Sequence, residues 1–193
     1  EYEAQFLEDA GGVFRRGLDA AVLEPKEPEK KHTYVMGVDW GKSADFTVIS
    51  VMDAGTHEMV AMDRFNRIDY VVQRQRLVAL AERYKPQVIV AESNAMGEPI
   101  IEQLQRDGLP VRGFTTTNAT KAQIIEALAL AFEQGALRIL NDKVLIGELQ
   151  AYEMERLPSG MVRYGAPGGM HDDCVISLAL AWHGVADNTW WIF

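Results

Sequence analysis

Residues 34–39, 46–52 and 58–65 are three apolar, β-branched-rich runs with very little chain between them: Trp40-Gly41-Lys42-Ser43-Ala44-Asp45, then a turn built on Asp53-Ala54-Gly55-Thr56. Connections this short leave no room for a crossover helix, so the runs predict an antiparallel meander. After residue 65 the pattern changes to alternation. Asp69 is placed to cap a helix with the apolar stripe Leu77, Leu80, Ala81 and Tyr84, closed by Pro86. Residues 88–91 form a short buried strand ending at Glu92. Gly97-Glu98-Pro99 opens a helix through Arg106, with Gly108 just past its end, and 111–114 is the next strand. Asn118 is the expected cap of a helix carrying Ile124, Leu128 and Phe132. A polar helix over 142–155, a Gly/Pro-rich loop over 158–169 and an apolar helix over 172–185 complete the chain. A meander followed by strands alternating with helices predicts an α/β domain: one mixed sheet with helices on both faces.

The 193 residues suit one sizeable domain, and a 48% hydrophobic content is enough to build its core without staples. The longest apolar stretch, 174–182, is nine residues with Ser177 inside it, far short of a membrane span. Cys174 is the single cysteine, which excludes an internal disulfide framework and fits a reducing compartment. No secretory signal opens the chain, and its start at Glu1 rather than Met marks it as an expected piece of something longer. Residues 24–31 are charged and proline-punctuated. The expected division is therefore an arm and linker over 1–32 and a folded domain over 33–193. With 28 acidic against 19 basic residues the net charge is −9, which argues against a protein that coats DNA by charge alone.

Three acidic positions border apolar runs. Asp39 closes the first strand, Glu92 closes the fourth, and Asp172-Asp173 begins the last helix. Ligands of open α/β sheets gather beyond the carboxyl ends of strands, so Asp39 and Glu92 are expected to face one crevice. Carboxylates so clustered raise one another's pKa unless cations intervene. Their hard oxygens suit Mg²⁺ or Mn²⁺. Two such ions support phosphodiester cleavage without a covalent nucleophile. Against this stands the ordinary use of Asp at a helix start as a cap, so one of Asp172 and Asp173 is open to that role. Asp45, six residues after Asp39, is a candidate for an accessory metal or structural role. Lys121, in the first turn of its helix, is a candidate phosphate contact, and His171 a candidate to orient a carboxylate or touch the phosphate. His32, His57 and His183 show no metal spacing, and Cys174 reads as inert core. Gly41-Lys42-Ser43 is not a phosphate-binding loop, because the required first glycine falls at Met36.

Val38-Asp39-Trp40-Gly41-Lys42, Ala91-Glu92-Ser93, and Gly168-Gly169-Met170-His171-Asp172-Asp173 followed by Leu178-Ala179-Leu180-Ala181 resemble the nuclease domain of the large terminase subunit of tailed bacteriophages. The likeness covers residues 34–185. Residues 2–16 resemble the close of the ATPase domain that precedes it in such proteins. The resemblance implies a ribonuclease H-like, RuvC-type fold and a metal-dependent DNA endonuclease that cuts concatemeric phage DNA during packaging. It implies Asp39, Glu92 and the Asp172-Asp173 pair as catalytic, metal-binding acids for two divalent ions, Mg²⁺ or Mn²⁺. It further implies double-stranded DNA, the ATPase domain, the small terminase subunit and the portal as partners, no membrane, and the host cell cytoplasm as location. DNA contact is then expected to be local, at Lys121, Arg156, Arg163 and the 158–169 loop. A Holliday-junction resolvase would use the same fold and similar acids. Asp39-Trp40-Gly41 with Thr47 also resembles the first phosphate loop of actin-like and sugar-kinase ATPases, but 193 residues are too few for the two domains those need.

Overall fold

The computed structural model describes residues 12–41, 45–94 and 97–188. Lys42, Ser43 and the first part of the arm, which carried some of the sequence resemblance, lie outside the described residues. A short helix α1 (Gly17–Ala20) and strand β1 (Ala21–Leu23) precede the meander β2 (Tyr34–Asp39), β3 (Thr47–Asp53) and β4 (Glu58–Phe65). Then come α2 (Tyr70–Tyr84), β5 (Val88–Glu92), α3 (Gly97–Arg106), β6 (Val111–Phe114), α4 (Asn118–Glu133), β7 (Ile139–Leu140), α5 (Lys143–Ala151), the pair β8 (Glu153–Arg156) and β9 (Val162–Gly165), and α6 (Asp173–Asn188). The main sheet has the order β4-β3-β2-β5-β6. Its β4-β3-β2 half is antiparallel and its β2-β5-β6 half parallel. This is the mixed α/β sheet expected, with an apolar core on each face.

One core holds α2 and α3 against Met36, Val38, Ile49 and Ile89; the other holds α4, α5 and α6 against Val35, Val48 and Val90. Both faces are covered, so β2 and β3 are buried throughout, with no polar alternation. The described part of the arm joins the second core. Phe14 meets Phe132 edge-on with ring centroids 5.7 Å apart, and β1 pairs in parallel with β7. Among the described residues no helix is long and apolar enough to cross a membrane.

Three expectations need correction. The cap of α4 is Thr117, which exchanges bonds with Thr120 in a capping box, and Asn118 is already the first helical residue. The expected polar helix over 142–155 stops at Ala151, because Tyr152 leaves helical geometry to bury its ring 5.4 Å from that of Phe14. The chain then enters β8, and the expected loop over 158–169 contains β9, so this region is a two-stranded hairpin.

Candidate active site

Sheet register decides where the acids fall. β2 and β5 run parallel with Val38 opposite Ala91, which sets Asp39 and Glu92 side by side at the carboxyl ends of neighbouring strands. Counting by twos, Asp39 continues the face of Val35 and Gly37, and Glu92 that of Val88 and Val90. That face packs against α6. A side chain at Gly37 would lie 2.1 Å from the Ser177 carbonyl oxygen, and one at Gly184 would lie 2.6 Å from Val35 Cγ1. Thus α6 runs antiparallel to β2 in close backbone contact, and its first residues arrive beside Asp39. Ser177 Oγ fixes the register by reaching the Gly37 carbonyl at 2.9 Å and Ser50 Oγ at 2.8 Å.

A helix start exposes N–H groups that need acceptors. Here Glu148 of α5 supplies them: its Oε2 accepts from Cys174 N at 2.7 Å and Val175 N at 3.2 Å. Both aspartates are released from side-chain capping. Asp172 gives only its backbone carbonyl to the helix, accepting from Ile176 N at 2.9 Å, while its Oδ2 accepts from Lys121 Nζ at 3.0 Å. Asp173 Oδ2 accepts from Phe46 N at 3.4 Å and stands 3.5 Å from His171 Nδ1. His171 also faces Asp45 at 3.9 Å and meets the Phe46 ring edge-on.

Burial first, then the facing charge of Glu92 and the charges of Asp173 and Asp172, push the Asp39 carboxyl well above the usual carboxylate range. Asp173 is raised too, chiefly by burial, with Asp172 and Asp45 adding and the Phe46 amide and His171 opposing. So Asp39, Glu92, Asp172 and Asp173 form one electrostatic cluster, with Lys121, His171 and Asp45 on its rim. Among the described residues, no three His, Cys, Asp or Glu side chains are placed to hold an ion as they stand. The Lys121 ammonium already engages one oxygen of Asp172, and Asp39 favours its neutral form. The donor set itself fits a hard divalent cation: all carboxylate oxygen, with a mutual repulsion that such a cation relieves.

The expected DNA contacts are less gathered. Lys121 lies in the cluster, whereas Arg163 pairs with Glu155 across the hairpin at 2.5 Å and Arg156 sits exposed on β8. Sequence reasoning missed Glu148 and Tyr152. Tyr152 is fully buried, its hydroxyl has no hydrogen-bond partner among the described residues, and burial above all, then Asp172 and Asp39, pushes its pKa up. The signal for Glu148 was present: an acid on the core-facing stripe Leu145, Glu148, Leu149, Tyr152 must find donors.

Residues 36–183 match the family model for the terminase RNaseH-like domain. The terminase large subunit of Thermus virus P23-45 is 36% identical over 197 residues, covering 94% of this chain and 40% of that protein. The chain therefore spans less than half the length of the curated relatives it matches. Among solved structures, the large terminase nuclease from thermophilic phage G20c superposes with a TM-score of 0.82 at 34% identity, covering 90% of this chain and 98% of that one. The same nuclease with bound magnesium superposes equally well, over 90% of this chain and 97% of that one. With a family model spanning most of its length and the fold and acid cluster in place, the chain belongs to the terminase RNaseH-like domain family.

Proposed function

We propose that this chain is the DNA-cutting domain of a phage large terminase, an endonuclease that hydrolyses phosphodiester bonds with two divalent ions, Mg²⁺ or Mn²⁺. The observation that carries this is the meeting of four acids: the parallel β2–β5 register sets Asp39 beside Glu92, and α6, packed antiparallel on β2, brings Asp172 and Asp173 to the same end of the sheet. Asp39, Glu92, Asp172 and Asp173 would hold the ions. The ions, when bound, supply an activated water and charge for the leaving oxygen. His171 orients Asp173, and Glu148 keeps the helix N–H groups satisfied so that both aspartates face the site. Lys121, bonded to Asp172, is positioned to turn its ammonium to a phosphate oxygen entering the cluster. The magnesium-bound relative supports the metal assignment. In the intact protein the partners would be double-stranded DNA, an ATPase domain, the small subunit and the portal. The site of action would be the host cytoplasm, on concatemeric viral DNA.

Plasmid nicking with Mg²⁺, Mn²⁺ or EDTA tests the reading. Metal-dependent conversion of supercoiled DNA to nicked and linear forms is expected, and Asp39→Asn is expected to abolish it with the fold intact. Full activity of Asp39→Asn would sink the assignment of the acids.

A further inference from the structure

Beside the acid cluster lies a second concavity that none of the reactions above uses. It is a cleft of about 440 Å³ between the end of β2, the β4–α2 turn and the start of α3. Trp40, which follows Asp39 directly, forms an apolar wall with Ile68, Pro99 and Ile100, and Thr47, Asn66 and Gln73 add polar groups to the lining. Tyr70 stands on its rim, 41% exposed, and Asp45 lies on the side towards the acids. Arg67 also lines the cleft, and its backbone is held in the left-handed region at φ 53°.

Charge pairing distinguishes Arg67 from the arginines on the two helices beside the cleft. Arg74, Arg76 and Arg106 on the neighbouring helices are each neutralised by a carboxylate. The Arg67 side chain pairs with no carboxylate among the described residues. An unpaired guanidinium on an acidic protein, at the mouth of a cleft with an apolar wall and an exposed aromatic ring, matches one chemistry. The guanidinium takes a backbone phosphate, the ring stacks a base, and the apolar wall takes the sugar.

We propose that this cleft binds one unpaired nucleotide of the strand next to the bond being cut, its phosphate on Arg67 and its base on Tyr70. The proposal rests on the nuclease reading and places the strand: from the acid cluster it passes Asp45 and enters beside Trp40. Double-stranded DNA presents such a nucleotide only where it opens, so supercoiled substrate is favoured over relaxed.

The test uses Arg67→Ala and Tyr70→Ala, both at exposed positions, with melting checked against the wild type. Binding of a 20-nucleotide single strand and of its blunt duplex is measured against KCl concentration in an Asp39→Asn background, and nicking is measured with Asp39 intact. For the single strand, Arg67→Ala is expected to lower the slope of log K against log salt by about 0.7, one phosphate contact. Tyr70→Ala is expected to weaken single-strand binding by at least about fivefold and leave duplex binding unchanged. Both are expected to slow nicking. If the wild type cuts and both variants bind and cut like it, the cleft is not a subsite. If Arg67→Ala loses single strand and duplex alike while Tyr70→Ala is silent, Arg67 is a surface contact and the nucleotide cleft is overturned. A wild type that neither binds nor cuts with any metal overturns the nuclease reading beneath it.

Discussion

At the scale of single residues, the site turns on a division of labour at the start of α6. A helix that begins with two acids would ordinarily spend one as its cap. Glu148 does that work from the neighbouring helix, at 2.7 and 3.2 Å from the first amides. Its side chain is buried, so removing it leaves two amides without acceptors. Glu148→Ala is expected to destabilise the domain by about 2–3 kcal/mol and to raise the metal concentration needed for nicking. Glu148→Gln keeps an acceptor and should recover most of both. Urea midpoints and nicking titrations check this, and a Glu148→Ala protein as stable and active as the wild type would refute the capping role. Asp39 gives a second expectation. Its pKa in the folded chain lies above the unfolded value, so between the two the folded state binds more protons and stability falls as pH rises. A divalent ion binds the ionised cluster, so the Mg²⁺-induced rise in melting temperature should be larger at about pH 8 than at about pH 5. Asp39→Asn should lose that pH dependence and, without metal, melt no lower than the wild type at the higher pH.

At the scale of elements, the site exists because α6 lies directly on β2. Ser177, Ala181 and Gly184 make this possible: a side chain at Gly37 would lie 2.1 Å from the Ser177 carbonyl oxygen and 2.3 Å from the Ala181 nitrogen. Gly37→Ala must therefore push the helix away. It is expected to cost about 1–3 kcal/mol or more and to slow cutting further than its stability loss explains, because Asp172 and Asp173 move relative to Asp39. Ser177→Ala removes two hydrogen bonds without crowding. It is expected to cost about 1–3 kcal/mol with cutting better preserved, and comparing the two by melting and nicking separates displacement from simple destabilisation. The same contacts explain what was legible beforehand. Asp39, Glu92 and the acid pair each ended or began a strongly patterned run, so their elements were readable to within a residue or so. The helix expected over 142–155 was misjudged at its end. Nothing in the local pattern reveals that Tyr152 leaves the helix to pack on Phe14, more than a hundred residues away in sequence. For Glu148 the need for donors was legible but their identity was not, since Cys174 N and Val175 N sit on another element. Lys121 stood out as a phosphate contact, but its bond to Asp172 depends on how α4 and α6 pack.

At the scale of the whole molecule, a net charge of −9 has to be reconciled with the DNA substrate proposed above. Pairing sharpens the problem. Arg74, Arg76, Arg83, Arg106, Arg112 and Arg138 are matched to Asp107, Asp63, Glu27, Glu102, Asp187 and Glu58, so much of the basic charge is already neutralised. Exposed pairs of this kind add little stability, but they leave few cations to displace counterions from DNA. On its own the domain should therefore bind duplex weakly, towards the ~10⁻⁴ M end of non-specific affinities at physiological salt. Few phosphates are engaged, so log K should fall with log salt at a slope of only about 1–3. Sequence preference should be slight, because binding through a few phosphates carries no base information. A nuclease built this way cuts efficiently only when something else holds the DNA against it. Tethering supplies that as an effective concentration in the ~mM range for a short linker, above the weak affinity of the free domain. Joining this chain through a short flexible linker to a non-specific duplex-binding module should then raise nicking at low enzyme concentration severalfold or more, with the intrinsic rate at saturating DNA unchanged. Micromolar or tighter binding by the free chain, with a steep salt slope, would contradict this account, as would a fusion that cuts no faster than the free domain at low concentration. Either result would mean that charge-neutral pairing on the surface is not what restrains the enzyme.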